Sequence, residues 1–444
     1  YLTVLLKGLQ FHKFIYALKN TIGKIFVKAE AKEGEITPFQ AVSTALAATV
    51  GTGNIAGVTG AIAIGGPGAV FWMWISAILG MATKYAEIVL AVAYREKNKN
   101  GDWTGGPMYY IKNGLDKKYH FLAVFFSILA AIAAIGTGGM TQINTIVTAL
   151  NTSFLSFGMH LPTMTLFNQT FYISSLIIGI LLAGVVGLVL FGGIKRIGAV
   201  AEKVVPFMAV LYIFLAIVLM ISNAQYLDDI FMMIFKGAFN AKAVLGGSVG
   251  IVILTTIRNG VGRGVFSNEA GSGSAPCAAA AADVSHPAKA GLFQAFGVII
   301  DTIIICSCTA FIMLLAPADL LEGLSGMELL QTAMFHHFGQ AGVVFTAVAL
   351  WLFSFSTFIG ILFYARSNVA YLFGDNWKSQ TIYKIVALVM LFIGGLAAYT
   401  FVWDLGDIGI GLMTIFNMIA IWPMAGQAIK SLKEYTELKK QKRL

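Results

Sequence analysis

Ten stretches of this chain are each long and apolar enough to cross about 30 Å of hydrocarbon, which takes about 20 helical residues. They lie at about 37–62, 68–94, 119–150, 171–191 and 200–222, then at about 243–282, 290–315, 331–372, 383–402 and 406–429. In lipid only helices and closed barrels satisfy every backbone group, and windows of this length predict helices. Charge agrees: Asp, Glu, Lys and Arg make up 11% of the residues, against about 25% in a soluble chain. The reading is an all-α polytopic membrane protein with the lipid bilayer as its solvent. Residues 1–6, opening at Tyr1 in YLTVLL, read as the last turns of one more span, truncated at its start. Cys277, Cys306 and Cys308 show no CxxC spacing and give neither a disulfide framework nor a metal site.

Lysine and arginine mark the cytoplasmic side of a membrane protein. Of the 30 here, 25 fall on alternate connections: 7–36, 95–118, the 195–203 turn, Lys289, the stretch from Arg366 to Lys384, and the tail. The spans therefore divide the chain into residues 1–36 (the end of an extra N-terminal helix and a cytoplasmic amphipathic segment), a five-helix set at 37–222, a second at 223–430, and a basic tail at 431–444. Both the 7–36 segment and the C-terminus are placed on the cytoplasmic side of a cell membrane. The net charge of +9 then reflects topology and anionic lipid rather than nucleic acid. The sequons Asn151-Thr152-Ser153 and Asn168-Gln169-Thr170 fall on the opposite side.

Glycines interrupt two of the windows at mid-depth. The first span holds TVGTGNIAG at 49–57, and the sixth holds RNGVGRGVFSNEAG at 258–271. These are the first helices of the two five-helix sets, and because five is odd the second set enters the membrane inverted. Paired interruptions of this kind point to the cargo site of a secondary transporter. Unwinding frees peptide N–H and C=O groups, each costing several kcal/mol in lipid unless a partner takes them. A zwitterion can do so: half-helix N-termini face its carboxylate, and freed carbonyls its ammonium or a cation. The alternative is close packing through small faces such as Gly53 and Gly57. Unwinding is expected at 51–54 and 260–267.

Other chemistries find little support. GTGNIAG is not the dinucleotide GxGxxG, no GxxxxGK[ST] is present, and the six histidines lie in loops or near span ends. No enzyme, organic cofactor or obligate protein partner is expected.

TVGTGN, GGPMYYI (105–111) and above all RGVFSNEAGSGSAP (263–276) resemble the alanine/glycine:cation symporters over essentially the whole chain. One departure is Cys277 in PCAAA, where relatives often carry histidine. The resemblance implies a LeuT-type 5+5 inverted repeat, with discontinuous core helices 1 and 6 plus one N-terminal helix. It also implies symport of a small neutral amino acid such as alanine or glycine, coupled to sodium or a proton by alternating access. The alternatives are a channel, or a LeuT-type cation-coupled carrier with another small substrate.

Hard cations take oxygen ligands. The carbonyls of Ala47, Val50 and Phe353 with the hydroxyls of Ser356 and Thr357 match the sodium site that LeuT-type carriers build between these helices. Alternatively, both hydroxyls bond back along their own helix. For substrate, the amides of Thr52 and Gly53 are expected at the carboxylate and the Thr49 carbonyl at the ammonium. Asn54 is to serve substrate or a second cation. Gln142 in the third span, and Phe266, Ser267 and Asn268 beside the second break, join the pocket, and Trp351 closes it from outside; the alternatives are helix–helix glue for Gln142 and an ordinary core or lipid-facing tryptophan for Trp351. Asp301, on one face with Gln294, is either a proton or cation site or the neutraliser of Arg258 or Arg263. Glu269 is similarly open with Arg263, and Lys84 with Glu87, three apart, reads as an ion pair.

Overall fold

The computed structural model describes residues 1–13, 15, 17–18, 37–98, 101–166, 169–191, 193–239, 249–321, 323–324 and 326–441. Lys19, Lys24, Lys28, Lys32, Lys99, Lys242, Lys442, Arg443 and Asn168, on which parts of the topology reading rest, lie outside the described residues, as does most of the amphipathic segment. Two short turns, Leu2–Leu5 and Leu9–His12, precede the bundle.

The first span starts at a capping box. The Thr37 hydroxyl accepts from the Gln40 amide and the Gln40 side chain accepts from the Thr37 amide, with Pro38 at the first helical position. Helix α1 (Pro38–Thr49) then breaks, and a π-type turn (Gly53–Gly57) leads into α2 (Val58–Gly65), the two halves bent by 50°. Helix α3 (Gly68–Ala93) crosses next, followed by a two-strand ribbon (Glu96–Lys97 with Trp103–Thr104) and α4 (Pro107–Gly114). The third span is α5 (His120–Ile132) joined to α6 (Gly139–Ser156) by a π-type turn (Ala133–Gly138). A second ribbon (Thr163–Leu166 with Gln169–Tyr172) precedes α7 (Ile173–Leu190) and α8 (Gly193–Ser222).

The second set opens with α9 (Leu227–Phe239), an amphipathic helix lying against α3, and α10 (Val249–Asn268). A short α11 (Ala275–Ala279) follows, then α12 (Pro287–Val298) and α13 (Ser307–Leu314) joined by a π-type turn (Ile299–Cys306). The 331–372 window is two helices, α14 (Met327–Phe338) and α15 (Gln340–Phe373), because Gly339 stands at φ +59° between them. Helices α16 (Trp377–Leu396) and α17 (Tyr399–Lys440) finish the bundle, so residues 431–440 continue the last helix. Among the described residues, seven helices are long and apolar enough to span a membrane, and the bent first pair makes eight.

Among the described residues, four of the connections that carry bases touch one another. Arg366 pairs with Asp375 and Asn98 bonds the same carboxylate; Arg95 donates to the carbonyls of Ala280 and Ala282; the His286 ring packs on Tyr435. Elsewhere Gln340 bonds the Ser156 carbonyl and Trp72 the Ala238 carbonyl.

The second break is not at 260–267. Helix α10 runs unbroken through those residues to Asn268, and the chain leaves helix at 269–274, where Glu269 (φ +51°), Gly271 (φ +92°) and Gly273 (φ +82°) turn left-handed. The glycines expected to unwind instead let α10 lie on α3. A β-carbon on Gly260 would fall 2.4 Å from the Ala69 carbonyl oxygen, and one on Gly264 3.0 Å from the Ser76 side chain.

Candidate functional site

At the first break three of the freed peptide groups of 50–52 meet side chains. The Gly51 amide donates to Asn54 Oδ1 at 2.8 Å and the Thr52 amide to Gln142 Oε1 at 3.2 Å. The Val50 carbonyl oxygen lies 3.3 Å from Thr357 Oγ1. Such exposed peptides persist in an apolar bundle only because polar atoms meet them.

Lys84 and Glu87, 3.5 Å apart and buried on α3, hold the second break. The Lys84 ammonium donates to the carbonyls of Asn268 (3.1 Å), the last residue of α10, and Glu269 (3.4 Å), the first beyond it. Glu87 accepts from the Gly273 amide (3.3 Å) and from Asn417 (3.0 Å), which also donates to the Gly271 carbonyl at 2.8 Å. Tyr110, of the GGPMYYI segment, hydrogen-bonds Asn417 in turn. The pair is therefore as the i,i+3 spacing indicates, with the added task of fixing a loop nearly 200 residues away in sequence.

A cavity of about 40 Å³ opens between the breaks, room for about three waters on the usual scale. Of the residues expected around cargo, Thr49, Gly53, Gln142 and Phe266 line it, as do Gly51 and Thr357. Thr52 adjoins it through its bond to Gln142. Asn54, Ser267 and Asn268 do not line it. Asn54 Nδ2 lies 2.7 Å from Asp301 Oδ1 and 3.0 Å from Ser267 Oγ, and Ser267 Oγ donates to Asp301 Oδ2 at 2.6 Å. Thr302 Oγ1 adds a bond to that oxygen at 2.9 Å and accepts from Asn268 at 3.0 Å. Asp301 thus sits in a separate, fully buried polar cluster beside the cavity. It shares a small pocket with Gln294 and Lys84 and neutralises neither arginine. Glu269 likewise bonds Ser274 rather than Arg263.

Arg263 pairs instead with Asp407 (2.6 and 2.9 Å) and lies over the rings of Phe266 and Trp403. Those rings stack at 5.3 Å. Phe266 and Ile410 form a shared wall between the cavity and a vestibule of about 700 Å³ that Arg258 also lines. Trp351, expected as the closing aromatic, stacks on Phe355 at 5.5 Å and does not line the cavity; Phe266, which does, is backed by the ring of Trp403.

Four of the five proposed ion ligands, those of Val50, Phe353, Ser356 and Thr357, are linked by hydrogen bonds. Thr357 Oγ1 lies 2.9 Å from the Phe353 carbonyl oxygen, Ser356 Oγ lies 2.8 Å from the same oxygen, and Thr357 bridges to Val50. Ala47, Val50, Phe353, Ser356 and Thr357 are all buried where α1 packs on α15. The hydroxyls also make the backward bonds to their own helix that the alternative reading describes.

Tyr364, Glu269, Ser272 and Ser274 line the cavity too, and the sequence reading gave them no cargo role. For Tyr364 a signal existed: Thr357, Ile361 and Tyr364 follow the i, i+4, i+7 spacing of one helix face.

The sodium:alanine symporter family signature matches residues 1–444. The chain is 41% identical over 412 residues to the probable sodium/glutamine symporter GlnT of Bacillus subtilis, covering 93% of this chain and 81% of that protein. It is 39% identical over 444 residues to the sodium/alanine symporter AgcS of Methanococcus maripaludis, covering 99% and 92%. Among solved structures it superposes on a Na⁺-coupled sialic acid symporter (TM-score 0.53, 14% identity, 95% of this chain and 86% of that one) and on the nucleobase-cation symporter Mhp1 (TM-score 0.53, 13% identity, 89% and 78%). The bundle is thus the LeuT-type fold of those transporters.

Proposed function

The chain belongs to the sodium:alanine symporter family, is a multi-pass membrane transporter and not an enzyme, and from that premise we propose symport of a small neutral amino acid, alanine or glycine, with sodium. The observation that carries this is that Gly51 and Gly53 of the first break and Thr357 of α15 line one cavity, with the Thr357 hydroxyl against the Val50 carbonyl. Cargo carboxylate takes the amides of Thr52 and Gly53, displacing Gln142 Oε1 from Thr52 and leaving the Gln142 amide to donate to it. The Thr49 carbonyl accepts from the ammonium. Sodium takes the oxygens of Ala47, Val50, Phe353, Ser356 and Thr357.

Charge counting supports a second cation or a proton at Asp301, with Asn54 and Ser267 beside it. The buried carboxyls of Glu87, Glu269 and Asp301 face only one buried ammonium, that of Lys84, among the described residues. Unpaired charge in a membrane interior is costly, so the bundle favours taking up positive charge. One sodium falling through about 100 mV releases about 2.3 kcal/mol, and a tenfold gradient adds about 1.4 kcal/mol, enough to concentrate a neutral solute a few hundredfold. The wall of Phe266, Ile410 and the Arg263–Asp407 pair separates cavity from vestibule as alternating access requires. The end rich in bases, with the C-terminus, is assigned to the cytoplasm of a cell membrane.

Proteoliposomes holding the full chain are expected to take up radiolabelled alanine when sodium is outside, with competition by glycine. Uptake that ignores sodium, or that shows no counterflow, rejects coupled symport. In the same assay Gln142→Ala is expected to raise the KM for alanine about tenfold, the worth of one hydrogen bond to a charged group. An unchanged KM clears Gln142 of a binding role.

A further inference from the structure

Away from the cavity, α7 packs along α16, with Gly187 facing Leu388 and Gly179 facing Phe392. One turn nearer the start of α16 stands Lys384, half-buried, its ammonium 5.0 Å from the centre of the Phe191 ring. Among the described residues it has neither a hydrogen bond nor an acidic partner, and the charge that bears on it is a second cation, Arg366. Arg366 has its own acid, Asp375 at 3.4 Å, which Asn98 shares at 3.0 Å. Phe191 caps α7, and α8 opens with Lys195 and Arg196 in a first turn that holds no acid. Positive charge is therefore in excess where α7 ends.

A ring beneath an ammonium holds it in place but does not cancel its charge, and a base within a membrane helix is ordinarily paired. The neighbouring surface is apolar. The two glycine contacts run in opposite senses along the two chains, so α7 and α16 are antiparallel. Leu188, next after Gly187, and Ile385, next after Lys384, then project to the same side of the seam, and both are exposed, as is Phe191. We propose that this seam binds an anionic phospholipid of the cytoplasmic leaflet, whose phosphate oxygens accept from the Lys384 ammonium while an acyl chain lies along Leu188 and Ile385. A soluble phosphate would answer the charge and leave the apolar flank bare. A zwitterionic lipid would bring a further cation to a patch already positive. Basic pockets between spans on this side of a membrane are where acidic head groups bind. The leaflet follows from the sidedness given above, and the site is independent of cargo and coupling ion. Farther along, α16 is tied to α6 by Asn144, which donates to the carbonyls of Gly394 (3.0 Å) and Ala397 (2.7 Å). A bound lipid therefore clamps a seam between supporting helices, and its effect is read in stability.

The test is thermal melting of the full chain in detergent against added lipid, at about 0.3 M salt so that diffuse attraction is screened. Phosphatidylglycerol is expected to raise the melting temperature saturably, and phosphatidylcholine with the same acyl chains is not. Lys384→Gln is expected to raise the half-saturating phosphatidylglycerol concentration about tenfold, the loss of one hydrogen bond to a charged group. Lys384→Arg, which keeps a phosphate-binding charge, is expected to retain the parent value. Lys378→Gln, on the exposed first turn of α16, is the control and should also stay near it. Native mass spectrometry of the parent needs no variant: phosphatidylglycerol is expected to stay bound where phosphatidylcholine is lost. An equal response to the two lipids, or Lys384→Gln and Lys378→Gln curves that coincide, overturns the site. Displacement of the lipid by inorganic phosphate alone also overturns it, since the seam would then bind a soluble anion.

Discussion

Changing Ser356 and Thr357 together to alanine abolishes sodium activation of uptake. Two of the five oxygens assigned to the ion are lost, and a hydrogen-bond-like contact to a charged group is worth about 1.5–3 kcal/mol. Losing both weakens sodium binding by at least about a hundredfold. Water has little access to make up the deficit, because the ligands are all buried between α1 and α15. Each single replacement should raise the half-activating sodium concentration about tenfold, with Thr357→Ala the worse, since Thr357 alone also reaches the Val50 carbonyl at 3.3 Å. A sodium titration of alanine uptake decides the matter. If the hydroxyls serve only their backward bonds to Phe353, the doubly changed protein melts at a different temperature and keeps the parent's sodium curve.

The strings that carry the proposed ion ligands, 47–50 and 353–357, could be named because spacing along a helix is fixed within a short string, and the structure packs them together where α1 meets α15. The first break was legible for the same reason: its glycines and its bend are local. The second was misplaced because sequence does not distinguish a glycine that unwinds a helix from one that lets two helices touch. Gly260 and Gly264, four apart, put a bare stripe against α3, with the Ala69 carbonyl and Ser76 occupying the space that side chains would need. Gly271 and Gly273, by contrast, adopt φ values that other residues seldom take, and Lys84 ties down the carbonyls they leave behind. Asp301 illustrates the other limit. One of its partners is Asn54, 247 residues earlier, whereas Arg263, one of the two arginines that charge alone offered it, pairs with Asp407 on α17. Trp351 and Trp403 were not separable by composition; only packing gives Trp403 the ring of Phe266.

Gly51→Ala is expected to lower uptake at least about a hundredfold while the protein still folds. Gly51 is not among the residues with positive φ, so its backbone accepts a side chain and the whole effect lies in what the new carbon meets. That carbon would stand 2.2 Å from Thr357 Oγ1, 3.1 Å from Thr357 Cβ and 3.2 Å from Gln142 Oε1. Overpacking of this kind costs about 1–3 kcal/mol, and here the strain pushes on an ion ligand and a cargo ligand together. Both the sodium half-activation and the KM for alanine should therefore rise, unlike the Ser356 and Thr357 changes, which act first on sodium. Gly57→Ala is the control, since its new carbon would have nothing nearer than Arg263 Cδ at 3.7 Å. It should leave uptake near the parent level. Because Gly51→Ala and Thr357→Ala act through one contact, their effects on sodium activation should not add. Combining them should cost little more than Thr357→Ala alone, a coupling of about 1–3 kcal/mol. Additive losses would mean that Gly51 and Thr357 serve separate sites, and the bridge from the broken helix to α15 would no longer describe where sodium binds.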